Sequence, residues 1–92
     1  MALSDSTRVK SKEDVLSRVL DGEAVILELG SGTYYGLNDT GSEVWSLIAE
    51  GATILQLREH MCAQFEVDEE TVMRDLDELV AELVREGLID VT

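Results

Sequence analysis

An α+β domain, with a three-stranded antiparallel sheet followed by three helices, is what this 92-residue sequence predicts. Three observations point there. Turn signals at Asp21-Gly22 and Gly30-Ser31-Gly32 divide the early apolar runs into strand-length pieces. From about Thr40 onward the apolar positions recur at helical period instead. The change of regime falls within one stretch, Thr33-Tyr34-Tyr35-Gly36-Leu37-Asn38 running into Asp39-Thr40-Gly41-Ser42-Glu43-Val44-Trp45. There, strand-favouring Thr and Tyr residues stop at an Asn-Asp turn and a helix begins.

The elements follow in order. Residues 1–7 read as a polar, flexible N-terminal tail, and residues 8–92 as one domain. Weak alternation between Val9 and Leu20 predicts one or two short strands. Asp21-Gly22 suits a two-residue hairpin turn, which needs positive φ at both positions. Ala24-Val25-Ile26-Leu27-Glu28-Leu29 is the next strand, with Val25, Leu27 and Leu29 on one face and Ala24, Ile26 and Glu28 on the other. The aromatic strand over Thr33–Asn38 completes a meander. Thr40 and Glu43 have the spacing of a capping box and predict a first helix from Thr40 to Glu50, stopped by Gly51. Thr53 and Gln56 predict a second box, opening a helix with Ile54, Leu57, Met61, Cys62 and Phe65 at helical period. Asp68 caps the third helix, which runs to Glu86 ahead of Gly87 and at 1.5 Å per residue is about 28 Å long. Its acidic first turn and Arg85 in the last turn both suit the helix dipole.

That third helix carries two apolar stripes. Val72, Leu76, Leu79 and Leu83 form one; Met73, Val80 and Val84 form another, interrupted by Asp77. One stripe docks a helix on a small core, so the second either widens the core face or lines a groove.

Charge narrows the function. Twenty acids against seven bases give a net charge of −13. Four bases, Arg8, Lys10, Lys12 and Arg18, lie near the N-terminus, whereas Glu66 to Asp90 holds ten acids against Arg74 and Arg85. Such a surface repels phosphate backbones and anionic lipid and favours a cationic partner, or else it serves solubility alone. There is no apolar stretch long enough for a membrane span and no secretory signal, and the single Cys62 forms no internal disulfide, so a cytoplasmic location is expected.

Catalytic constellations are missing. His60 and Cys62 stand two apart on a helix and point to different faces, with no further His or Cys to complete a metal site or a nucleophilic pair. Gly30-Ser31-Gly32 lies between strands, without the Lys and helix of a phosphate loop. The expectation is a protein that is not an enzyme and uses no metal or cofactor.

The order Asp21-Gly22, Tyr34-Tyr35-Gly36-Leu37-Asn38, Thr40-Gly41 with Trp45, and Glu86-Gly87-Leu88-Ile89 resembles the PqqD-like family, also called the RiPP precursor peptide recognition element. The likeness covers about residues 8 to 91. It is closer to the stand-alone recognition proteins of lasso-peptide pathways than to quinone-pathway members, whose Pro-Glu-containing segment has no counterpart in this proline-free chain. The resemblance implies a winged helix-turn-helix-like domain that binds the leader of a ribosomally made precursor peptide by strand addition and presents it to a modifying enzyme, such as a leader peptidase or a radical-SAM enzyme. Carried onto this chain, it implies that Thr33, Tyr34, Tyr35, Gly36 and Leu37 pair with the leader. Met73, Leu76 and Val80 are then expected to line an apolar pocket, with Asp75 and Asp77 meeting leader bases.

Two other classes remain open on the residues. A homodimeric interaction subunit would use the second stripe against its own copy. A winged-helix DNA-binding regulator shares the architecture, but its third helix needs bases, and here Arg74 and Arg85 face eight acids from Asp68 to Glu86.

Overall fold

The computed structural model describes residues 3–92. Six strands form two small antiparallel sheets around three helices: β1 (Arg8–Ser11), β2 (Val15–Leu20), β3 (Glu23–Glu28), β4 (Thr33–Gly36), α1 (Asp39–Glu50), β5 (Ala52–Thr53), α2 (Ile54–Gln64), α3 (Glu69–Arg85) and β6 (Ile89–Val91). The expected meander is present as the sheet β2-β3-β4. Its hairpin turns at Asp21 and Gly22, with φ of 52° and 81°, the left-handed pair that a two-residue turn requires.

The second sheet, in the order β5-β1-β6, is an addition to the expected fold. Only two or three residues of β5 and β6 take part, too few for an alternation to show in sequence. The sheet fastens both ends of the domain together, with Val9 opposite Val91 and Ala52. The stretch expected to be a flexible tail is anchored from Leu3 onward; its first two residues lie outside the described residues. Leu3 packs on the core, Ser4 and Thr7 close a turn, and the Asp5 carboxylate accepts from the Arg58 guanidinium at 3.0 Å for the Nη2–Oδ2 contact.

The helix caps follow local chemistry, with one displacement. Thr53 and Gln56 form both halves of their capping box, and Asp68 accepts from the Thr71 N–H at 2.9 Å. The first helix starts earlier than expected: Asn38 is its cap, its side chain accepting from the Gly41 N–H at 2.8 Å. Asn is as good a cap as Thr, and its extended backbone (φ −71°, ψ 179°) continues the preceding strand. Thr40 and Glu43 therefore form no box, and Glu43 instead lies 3.9 Å from the His60 imidazole.

The core is shared by all layers. Ala24 and Ile26 of β3, Val44, Trp45 and Ile48 of α1, Leu57 and Met61 of α2, and the buried face of α3 meet there. The face of β3 that turns inward is thus the Ala24–Ile26 face. Ser42, almost fully buried, ties this core to the sheet. Its hydroxyl accepts from the Ala24 N–H at 2.6 Å and donates to the Leu37 carbonyl at 3.2 Å, while the Leu37 N–H donates to the Ala24 carbonyl. One hydroxyl therefore fixes where the end of β4 sits against α1. Ser42→Ala leaves the Ala24 N–H without a partner in a dry site. A loss of about 1–3 kcal/mol in unfolding free energy is expected, readable by urea denaturation.

Candidate peptide-binding edge and groove

Strand β4 pairs with β3 on one side only, and its other edge is open among the described residues. Ladder alternation says which groups are free. The Leu37 N–H points at β3, so Tyr35, two residues earlier, does too, and the backbone N–H and C=O of Tyr34 and Gly36 point to the open edge. A row of unpaired donors and acceptors of this kind is a template for an added strand.

Beside that edge runs α3. The Tyr35 side chain crosses to it on the core side of the sheet, and its hydroxyl donates to Glu86 Oε2 at 2.6 Å. Accepting from the phenol, the Glu86 carboxylate holds the Tyr35 pKa above its ordinary value. Further along, where β4 passes into α1, the chain and α3 enclose a groove of about 360 Å³, bordered by Asn38, Thr40, Val44 and Met61 on one side and by Asp75, Glu78, Leu79 and Glu82 on the other. Among the described residues no Lys, Arg or His forms an ion pair with Asp75, Glu78 or Glu82. The groove therefore has an apolar floor and a strongly negative wall.

The residues expected at this site divide. Thr33, Tyr34, Tyr35 and Gly36 form β4, with Leu37 next in line. Tyr35 faces α3, whereas Tyr34 turns to the opposite face of the sheet and is 68% exposed. Asp75 borders the groove. Asp77, two residues on, is about 200° round the helix from it and is exposed on the far side. Leu76 and Val80 are fully buried, each at 0% exposure, so they are core residues and line no groove. Met73 lies on the α2 side, its sulfur 3.7 Å from Arg58 Nη1. Leu79, assigned in sequence to the core stripe, is the apolar residue that α3 presents to the groove. Glu78 and Glu82 were not singled out either, although their i, i+3, i+7 spacing with Asp75 is a sequence-level signal for one helix face.

Residues 23–89 match the family model described as "Coenzyme PQQ synthesis protein D (PqqD)". Among solved structures, the chain is similar to "TbiB1 in Complex with the TbiA(beta) Leader Peptide", with a TM-score of 0.84 and 38% sequence identity over 88% of this chain and 94% of that one. It also shares its fold with "Lasso peptide synthetase B1 complexed with the leader peptide", at a TM-score of 0.80 and 23% identity over 89% of this chain and 96% of that one. No curated protein sequence matches.

Proposed function

The chain belongs to the PqqD family, and from that premise we propose that it binds the leader segment of a ribosomally made precursor peptide and presents it to modifying enzymes. The observation that carries this reading is the open edge of β4 lying beside the acidic groove of α3. The leader enters as an antiparallel strand, bonding to the backbone of Tyr34 and Gly36, which supplies affinity largely independent of side chains. Leu79, Val44 and Met61 receive an apolar leader residue, and Asp75, Glu78 and Glu82 favour a cationic one. Similarity to TbiB1, a structure solved with a leader peptide, supports the same reading. The domain acts as a recognition partner; bond making and breaking belong to the enzyme it serves. Among the described residues no helix is long and apolar enough to cross a membrane.

Amide exchange tests strand addition directly. In the free protein the Tyr34 and Gly36 amides should exchange fast and the Leu37 amide slowly. Saturation with a synthetic leader of the co-encoded precursor should slow Tyr34 and Gly36 selectively. A leader that binds without protecting either amide would show that the peptide docks elsewhere.

A further inference from the structure

The sheet β2-β3-β4 has a second face, turned away from the helices, and it is apolar. Register places Leu16 opposite Leu27, Leu20 beside Val25 and Tyr34 opposite Leu27, so these side chains alternate outward together. They border a depression of about 380 Å³. Leu16 is 56% exposed and Leu20 55%. A contiguous apolar surface on a 92-residue chain of net charge −13 is out of keeping with the rest of its exterior. Arg18 stands in the middle of β2 on this face, and no acid forms an ion pair with it among the described residues.

From this arrangement we infer that the outer face of the sheet docks a second protein, one that presents apolar side chains around a carboxylate. Charge selects this occupant over another copy of the chain. A two-fold interface centred here sets Arg18 against Arg18 and brings two strongly anionic bodies together. A partner carboxylate instead pairs with Arg18 in a desolvated setting, and Tyr and Arg set among apolar side chains are residues that interface cores favour.

Continuity with the leader site identifies the partner's class. A strand added beside β4 lies in the same sheet, and its alternate side chains project onto this same outer face next to Tyr34. A protein seated there touches the domain and the bound leader together. On the proposed function, that protein is a modifying enzyme which acts on the tethered precursor. The two faces of one sheet then divide the work, with α3 and the inner side gripping the leader and the outer side recruiting the enzyme.

The test uses the full chain, with and without synthetic leader, immobilised and exposed in turn to each purified modifying enzyme encoded beside the precursor. One enzyme should bind the native chain. Leu16→Ser combined with Leu20→Ser should weaken that binding at least tenfold, as should Arg18→Glu, while Arg18→Lys stays within threefold. Leader affinity should remain within twofold in every variant, which also shows that they fold. Equal enzyme binding by the native and Leu16→Ser/Leu20→Ser chains overturns the inference, as does binding by none of the enzymes. So does a native dimer in sedimentation that the double variant converts to monomer, because a second copy then covers the face. If the native chain fails to bind leader, the proposed function falls, and the peptide-free arm still decides whether this face docks an enzyme.

Discussion

Val80→Asp should abolish the folded domain. Val80 is completely buried on α3 in line with Leu76, Val72 and Leu83, all within 2% of full burial. A carboxylate there has neither water nor a basic partner. Transfer of such a charge into an apolar site costs several kcal/mol even after the group takes up a proton. A domain of this size has about 5–15 kcal/mol in total, so most of the margin disappears. Circular dichroism at 25 °C should show an unfolded or partly folded chain, and leader binding should vanish as a consequence. The opposite result, a native melting curve with leader binding alone lost, would mean that Val80 faces a solvent-filled groove, against the burial seen here.

The fate of the two stripes on α3 shows where sequence reasoning stopped. Periodicity found both stripes, and it correctly found that the helix has a wide apolar arc. Which part of the arc meets the core depends on what packs on either side, which periodicity does not contain. Here α2 and β6 both contact α3, so Leu76 and Val80 fall in the middle of the covered arc. Leu79 falls at its border, next to the acids. Val80, expected to line the pocket, is therefore core, and Leu79 of the first stripe reaches the groove. Local signals fared better. Asp21-Gly22, the Thr53–Gln56 box and the Asp68 cap each act over three residues or fewer, and each is in place. Asn38 displaced Thr40 because two adequate caps stood close together, and only the backbone angles choose between them. Ser42 had no sequence signature at all. A serine inside a helix is unremarkable until Ala24 and Leu37 are seen on either side of it.

Charge reaches further than either stripe. Arg8 and Lys10 of β1, with Lys12 just beyond it, lie at the sheet that joins the chain ends, whereas Asp75, Glu78 and Glu82 line one face of α3 and Glu86 continues it at the C-cap. An incoming leader with a cationic segment is therefore attracted to the α3 side, and rising salt screens that attraction within roughly a Debye length of 8–10 Å. On the proposed function, the open backbone of β4 would supply hydrogen bonds that are much less sensitive to salt, so steering and holding would fall to different parts of the site.

Leu79→Asp should separate binding from folding. Leu79 is half-buried at the groove margin, so the introduced carboxylate can turn to water, and a stability loss of about 1 kcal/mol is expected. In the complex the same carboxylate replaces the apolar contact and is desolvated beside Asp75, Glu78 and Glu82. Leader binding should weaken by about 2 kcal/mol or more, some thirtyfold. A paired comparison sharpens the result. Asp75→Asn removes a groove charge and should weaken a cationic leader by about 0.5–1 kcal/mol, whereas Asp77→Asn, on the far side of the helix, should leave affinity unchanged. Calorimetric titration of the three variants, each with its melting temperature, checks the assignment. Equal losses from Asp75→Asn and Asp77→Asn would mean that only overall charge matters and that the α3 groove is not where the leader side chains sit.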